Sequence, residues 1–185
     1  MKDSRKLNLG CGRLGPEFFP DYCNVDMVPH KGVDVLANVA KLPFHDNYAE
    51  EVVGSHILEH FGHFVVIEVL VEWYRVLDVD GKLYIAVPNF IEDFKRVAKY
   101  CEENGYDAEY IAYHLFGGQH GIDEKESTAN AHLTGFDIKK LTRYVKEAGF
   151  QVNDCWIGWA DDRKARHPST WSRTGDGNIF LVGTK

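Results

Sequence analysis

The chain has 185 residues, of which 44% are hydrophobic and 26% are charged, a composition typical of a globular protein with one hydrophobic core. Its formal net charge of −7 argues against nucleic acid as the main partner, because proteins that bind polyanions usually carry a basic excess. No apolar run approaches the ~20 residues that span a bilayer, and the N-terminus lacks the apolar core of a signal peptide. The four cysteines are scattered without a C-x-x-C pair, so we expect a reduced cytoplasmic protein.

The first third of the chain predicts four short strands. They lie at residues 6–9, 22–26, 33–37 and 51–55, and the third has the weakest pattern. A helix follows at 64–77, with apolar residues on most of its faces, which indicates that it is largely buried.

The second half of the chain continues the alternation of strands and helices. Asp80 and Gly81 mark a turn before a strand at 82–87, which Pro88 ends. Asp137 has the residue type and position of a helix N-cap. The further predicted elements are helices at 91–104, 108–116 and 137–148 and strands at 150–157 and 178–183.

This order predicts an α/β fold with a Rossmann-like, mostly parallel sheet and helices on both of its faces. The last two strands follow one another without a helix between them, which predicts an antiparallel C-terminal edge strand. We expect a single domain over residues 1–185. The irregular segments 117–135 and 158–177 are expected to form lid or substrate loops.

The loop after the first strand has the glycine spacing of a dinucleotide site but lacks the long helix of such a site. Gly10, Gly12 and Gly15 match G-x-G-x-x-G. Pro16 can begin one helical turn, whereas Pro20 disfavours a second. Because the helix N-terminus is what binds a pyrophosphate, its loss predicts a nucleoside ligand without a pyrophosphate.

Asp26 ends the second predicted strand, 16 residues after Gly10. At that position a carboxylate can accept hydrogen bonds from both ribose hydroxyls. The order of strand, glycine loop and acidic residue therefore predicts that Asp26 binds the ribose of a nucleoside.

Five segments together resemble the class I S-adenosylmethionine-dependent methyltransferases over nearly the whole chain. "LNLGCG" is similar to the first motif of that family, and "NVDM" to its ribose-binding acid. "NVAKLPFHDNYAEEVVGSHILEHF" resembles the adenine-contacting segment and the fourth strand. "WYRVLDVDGKLYIAVPN" resembles the helix, turn and strand that follow, and "FDIKKLTRYVKEAGF" the late helix and edge strand.

The resemblance implies S-adenosylmethionine as cofactor and S-adenosylhomocysteine as product. The backbone of Gly10, Cys11 and Gly12 should follow the methionine half of the cofactor. Asp26 should hold the ribose, and Met27 should lie beside the adenine face.

The resemblance also implies contacts from the third and fourth strands. Asn38 and Val39 should meet the adenine edge, and Ser55 and His56 should border the sulfonium and its methyl group. Many family members have acids where this chain has Asn8 and Asn38, so we expect weaker cofactor binding here. Asn8 can still accept a hydrogen bond from the cofactor's ammonium group.

An oxygen or nitrogen acceptor would need a base to take its proton, and histidine titrates in the right range. His56, His60 and His132 are the catalytic candidates, and His120 lies in the same long segment as His132. A small-molecule or glycan-type acceptor is expected. Segment 156–173 supports this, since its aromatic and basic side chains could bind a sugar or an anion.

Two alternatives stay open. The chain could be a catalytically inactive S-adenosylmethionine-binding module, in keeping with Asn8 and Asn38. It could also be a zinc hydrolase, because His56 to His60 match H-x-x-E-H, in which two histidines bind zinc and Glu59 acts as base. We assign no metal site from the sequence, since zinc would leave the glycine loop and Asp26 without a role.

Overall fold

Seven strands form one sheet in the part of the chain that the computed structural model describes, residues 4–13, 15–116, 131–158 and 177–185. The strands are β1 (Lys6–Leu9), β2 (Cys23–Asp26), β3 (Val35–Leu36), β4 (Ala49–Ser55), β5 (Leu77–Pro88), β6 (Gln151–Gly158) and β7 (Asn178–Thr184). Their order across the sheet is β3-β2-β1-β4-β5-β7-β6.

The strand directions confirm the predicted fold class. Strands β1 to β5 pair in parallel, whereas β7 pairs antiparallel with both β5 and β6. The sheet is therefore mostly parallel, and the antiparallel pairing is confined to the side formed by the two C-terminal strands. The last strand of the chain does not form the rim itself but lies between β5 and β6.

Five helices and one short turn of 3₁₀-helix accompany the sheet among the described residues. They are α1 (Gly15–Phe18), the 3₁₀ turn (Leu58–His60), α2 (Val65–Val76), α3 (Phe90–Asn104), α4 (Ala108–Leu115) and α5 (Ile138–Glu147). The single turn of α1 confirms what Pro16 and Pro20 predict. The Asp137 side chain accepts a hydrogen bond from the Lys140 N–H, which confirms the predicted cap of α5. In the described ranges, no helix combines the length and apolar character needed to cross a membrane.

Strand β5 begins earlier than its sequence pattern predicts. It starts at Leu77, directly after α2, and the register with β4 shifts between Ala49 and Glu51. Asp80 has a φ of 62° there. The predicted turn at residues 80–81 is therefore an irregularity within β5, because the strand continues to pair on both sides of it.

Helix α2 packs against β4 in the core, where the Trp73 ring lies close to the β4 backbone at Gly54. Trp73 is completely buried, and its Nε1 donates a hydrogen bond to the Val39 carbonyl at 3.1 Å. A Cβ added to Gly54 would lie 2.3 Å from the Trp73 ring. Only glycine fits at this position. The contact fixes the end of β4, whose last residue is Ser55 and which is followed by His56.

Candidate functional site

The predicted site residues gather at the carboxyl edge of the parallel strands. Leu9, Asp26, Ser55 and Pro88 end β1, β2, β4 and β5, which all run in the same direction. Ligands of open α/β sheets bind at this edge.

The two glycines of the first turn have different surroundings. Both have left-handed backbone conformations, with φ of 67° at Gly10 and 58° at Gly12. A Cβ at Gly10 would lie 2.5 Å from Ile57 Cδ1, whereas among the described residues nothing lies within 4 Å of a Cβ at Gly12. Gly10 is thus required by packing inside the protein, and Gly12 leaves open space for a ligand.

Asn8 and Cys11 are among the residues predicted to contact the cofactor that are buried. Asn8 is 2% exposed, and its Nδ2 donates to Asn24 Oδ1 on the neighbouring strand at 2.7 Å. Cys11 is also buried, and this burial, helped by the charge of Asp26, raises the pKa of its thiol to about 12. The Cys11 side chain is therefore a neutral thiol at physiological pH, which leaves its backbone as the group able to contact a ligand.

Asp26 is held by the backbone on both of its carboxylate oxygens. Oδ2 accepts from the Gly12 N–H at 2.8 Å, and Oδ1 accepts from the Val28 N–H at 2.9 Å. Each oxygen of a carboxylate has a second lone pair. The carboxylate is therefore fixed in orientation and can accept two further hydrogen bonds, the number that a ribose diol would donate.

The predicted adenine side combines exposed and anchored residues. The Met27 side chain is 68% exposed and that of Leu36 62% exposed. The Asn38 Oδ1 accepts from the Ala40 N–H at 2.9 Å, so this side chain closes its own turn. Val39 is buried. The apolar surface of Met27, next to the oriented Asp26 carboxylate and the open space at Gly12, fits an adenosyl group.

The H-x-x-E-H segment does not form the helix that a zinc peptidase requires. His56 precedes the 3₁₀ turn, has a φ of 54°, and donates its backbone N–H to the Ala86 carbonyl at 2.8 Å. Only Leu58–His60 is helical, as a single 3₁₀ turn. His56 and His60 are therefore not stacked one α-helical turn apart, and the arrangement expected for the hydrolase alternative is not formed.

The structure instead brings Glu59 and His60 together with His132. Their potential ligand atoms all lie within 4.8 Å of one another, and the rings of His60 and His132 are 5.2 Å apart between centroids. The Glu59 carbonyl accepts from the N–H groups of Leu133 at 2.8 Å and Thr134 at 3.1 Å. These two backbone bonds join the 3₁₀ turn to the segment that carries His132.

Glu59 is an unusual buried acid. Its side chain is 2% exposed, and His56 Nδ1 lies 3.3 Å from Oε1, near enough for charge attraction but outside hydrogen-bond geometry. Burial by itself raises the pKa of Glu59, but the neighbouring His56 and His60 rings lower it more, so that its pKa is below the usual value. Burial lowers the pKa of His132 against the opposing charge of Glu59. At neutral pH Glu59 is thus a carboxylate and His132 is neutral.

A small cavity of about 70 Å³ opens beside this cluster. Glu59 and His132 line it together with Phe90 and Asp93 at the start of α3, and Thr134. Glu59 could be found from the sequence, because it lies in the H-x-x-E-H motif of residues 56–60. Asp93 and Thr134 carry no recognisable motif, and only the fold shows that they lie here.

The predicted catalytic and loop residues are only partly covered by the described ranges. His56, His60 and His132 lie within them, with His60 and His132 in contact with one another. His120, residues 117–130 of the first predicted loop and residues 159–176 of the second lie outside them.

Comparison with known proteins relates the chain to methyltransferases by one domain match and by fold. A family model described as a methyltransferase domain matches residues 21–85, and no curated protein matches the chain. A SAM-dependent methyltransferase from Thermotoga maritima, described as a possible histamine N-methyltransferase, is 18% identical with a TM-score of 0.61; the match covers 100% of this chain and 84% of that one. One from Archaeoglobus fulgidus is 16% identical with a TM-score of 0.62, covering 100% and 87%.

An enzyme with a bound ligand has the same fold. The 1,6-didemethyltoxoflavin-N1-methyltransferase of Burkholderia thailandensis, solved with bound 1,6-didemethyltoxoflavin and S-adenosylhomocysteine, is 15% identical with a TM-score of 0.58; the match covers 97% of this chain and 69% of that one. The family match over residues 21–85 includes β2 to β4, and the shared fold extends over the rest of the chain. Residues 21–85 therefore match a methyltransferase domain, and the chain has the fold of these S-adenosylmethionine-dependent methyltransferases.

Proposed function

We propose that this chain transfers the methyl group of S-adenosylmethionine to an oxygen or nitrogen atom of a small-molecule or sugar-like acceptor. One observation carries the proposal: the Asp26 carboxylate, oriented by the Gly12 and Val28 N–H groups, lies at the same sheet edge as the cavity beside Glu59 and His132. A nucleoside site and an acceptor site at one edge are what methyl transfer requires.

The residues of the cofactor side have distinct proposed tasks. Asp26 accepts hydrogen bonds from the ribose hydroxyls, and Met27 covers one face of the adenine. The Gly12 backbone leaves room for the methionine half. When bound, S-adenosylmethionine supplies a methyl group on a positively charged sulfur, which is a good leaving group. The protein therefore gains most of its rate from holding the acceptor in line with that methyl group.

The acceptor side has to remove one proton. A lone pair on the acceptor oxygen or nitrogen forms the new bond to the methyl carbon, the carbon–sulfur bond breaks, and its electron pair stays on sulfur. The acceptor loses its proton in the same reaction. We propose His56, His60 or His132 as the group that takes it, because these three histidines surround Glu59 next to the cavity.

Two further features support a small acceptor within the cell. The cavity of about 70 Å³ suits one functional group of an acceptor, and the net charge of −7 disfavours polyanions. All four cysteines are free thiols, which supports the proposed location in the reducing cytoplasm.

The direct test is calorimetry with S-adenosylhomocysteine on the parent chain, Asp26→Ala and Asp21→Ala. Asp21 is an exposed acid at the opposite end of β2, so its variant is the matched control. Hydrogen bonds to a charged group contribute about 1.5–3 kcal/mol each, so Asp26→Ala should weaken binding by at least about tenfold. Asp21→Ala should bind like the parent.

Adenosine and 2′,3′-dideoxyadenosine separate a ribose contact from a general effect on the loop. The parent should prefer adenosine, and Asp26→Ala should lose that preference while its unfolding transition stays cooperative. If the parent shows no binding of S-adenosylhomocysteine, or if Asp26→Ala keeps the preference, the proposal fails. Tight binding without methylation of any acceptor in a broad panel would instead favour the inactive module.

A further inference from the structure

The cluster of Glu59, His60 and His132 has the chemistry of a metal site. It contains one carboxylate and two imidazoles, which suit divalent transition ions such as Zn²⁺. Their potential ligand atoms lie within 4.8 Å of one another. In a tetrahedral zinc site, bonds of about 2.0–2.1 Å bring ligand atoms to roughly 3.3 Å from each other. Small side-chain rotations would therefore close the site.

The Glu59 carboxylate needs a cation. It is 2% exposed, and among the described residues neither of its oxygens has a hydrogen-bond partner. A buried carboxylate that lacks such partners is costly. The nearby His56 Nδ1 at 3.3 Å compensates this charge only when it carries a proton. A bound divalent ion would satisfy the carboxylate directly.

Both histidines are oriented as metal ligands usually are. His60 Nδ1 lies 3.1 Å from the Ala131 carbonyl oxygen, and His132 Nδ1 lies 3.3 Å from that of Leu115. A carbonyl oxygen can only accept a hydrogen bond, so Nδ1 carries the proton in each ring and Nε2 keeps its lone pair. A backbone carbonyl that fixes the ring in this tautomer is the typical support of a metal-bound histidine.

We propose that Glu59, His60 and His132 bind one divalent transition-metal ion, with Zn²⁺ as the reference ion, through a carboxylate oxygen and two Nε2 atoms. Three protein ligands leave at least one position open, as in catalytic zinc sites. Glu59 and His132 also line the cavity of about 70 Å³, so the open position faces it.

The open coordination position could bind the methyl acceptor, and this part of the proposal rests on the proposed function. An acceptor oxygen or nitrogen that coordinates the ion would be held at a defined place and would lose its proton more easily. His56 is the one of the three catalytic candidates outside the coordination sphere. The site differs from the hydrolase alternative, because Glu59 is a ligand here and cannot serve as a free base.

The test measures metal binding without cofactor or acceptor. The purified chain is treated with EDTA, dialysed and titrated with Zn²⁺ by calorimetry, and the thermal unfolding is followed with and without the ion. Co²⁺ provides an independent visible absorption band. We expect one equivalent of bound ion and a higher unfolding temperature with Zn²⁺.

Single variants identify the ligands. Loss of a supporting group alone typically weakens a metal site 10–100-fold, so His60→Ala, His132→Ala and Glu59→Gln should each reduce affinity by at least about 100-fold. The matched control is His45→Ala, since His45 is an exposed histidine whose Nδ1 lies 2.7 Å from the Asp46 carbonyl. It should bind like the parent. Glu59→Gln keeps the shape of the side chain, so its folding, checked by circular dichroism, should be retained.

The metal site is refuted if the EDTA-treated chain binds no stoichiometric Zn²⁺. It is equally refuted if the folded Glu59→Gln and His132→Ala variants bind the ion as tightly as the parent. Binding of S-adenosylhomocysteine is measured in a separate titration on the EDTA-treated chain. That titration reports on the proposed methyl transfer, so failure of the metal site and failure of the proposed function give different results.

Discussion

The proposed cofactor side and the proposed acceptor side of this site are built in different ways. On the cofactor side, Asp26 bonds to Gly12, 14 residues away, and to Val28, two residues away. On the acceptor side, His60 contacts Ala131, 71 residues away. The cofactor side is therefore specified by two short loops, whereas the acceptor side exists only when distant segments have packed. A fold built this way can keep its cofactor and change its acceptor.

The largest expected effect separates packing from binding within the cofactor side. Gly10→Ala should destabilise the fold by about 2–5 kcal/mol, because its Cβ would lie 2.5 Å from Ile57 and its backbone is left-handed. Gly12→Ala adds the backbone cost alone, about 1–2 kcal/mol, since the space around it is open. Yet it should weaken S-adenosylhomocysteine binding, because the new methyl group enters that space.

Urea unfolding measures the first effect of this pair, and calorimetry measures the second. Equal stabilities of the two variants would contradict the assignment of Gly10 to packing. Unchanged affinity in Gly12→Ala would mean that no ligand uses the open space beside it.

The next effect tests whether the proposed cofactor side depends only on its own loops or also on helix α2. Glu72 on α2 accepts from the Leu42 N–H at 2.6 Å and from Arg75 Nε at 2.8 Å. Arg75 also donates to the Phe44 carbonyl. The pair thus ties the segment after Val39 to the helix. Glu72→Gln should cost about 1–2 kcal/mol at pH 7, allowing for the partial exposure of Arg75.

The pH dependence of this cost has a definite sign. The hydrogen bonds and charge of Arg75 lower the pKa of Glu72, so its contribution is complete above the unfolded carboxyl pKa of about 4.3 and falls as pH drops through the lower folded value. The difference between parent and Glu72→Gln should therefore shrink from pH 7 to about pH 3. A constant difference in urea unfolding would contradict the ion pair, and a large loss of S-adenosylhomocysteine binding would show that α2 also shapes the cofactor side.

The smallest effect concerns a residue that we propose to contribute to binding but not to the fold. Met27 is 68% exposed, so Met27→Ala should change the free energy of unfolding by less than about 0.5 kcal/mol. Loss of its contact with an aromatic base, about 0.3–1.5 kcal/mol, should weaken S-adenosylhomocysteine binding by roughly two- to tenfold. Affinity equal to that of the parent would remove Met27 from the proposed adenine contact.

Local chemistry explains which features could be predicted from the sequence. The single turn of α1 follows from Pro16 and Pro20, and the start of α5 follows from Asp137. The place of Asp26 at the end of β2 follows from the spacing to the glycines. Each of these depends on neighbours within about 20 residues, the range over which turn and cap rules act.

Other features depend on contacts that no local pattern carries. Strand periodicity does not say which strands are neighbours, so the place of β7 between β5 and β6 could not be predicted. The H-x-x-E-H motif could bind zinc in the manner of a hydrolase only on an α-helix, whereas the chain forms a single 3₁₀ turn at Leu58–His60. His132 lies beside Glu59 and His60, on a segment from which Leu133 and Thr134 donate hydrogen bonds to the Glu59 carbonyl.

The position of β7 also affects when the sheet can be completed during synthesis on the ribosome. Residues 178–184 form β7, which lies between β5 and β6. One edge of β5 therefore has no pairing partner until these residues have been translated. A nascent chain that stalls earlier presents an open, largely apolar strand edge. Such an edge favours aggregation, so a chain truncated before residue 178 should aggregate more readily than one that carries β7.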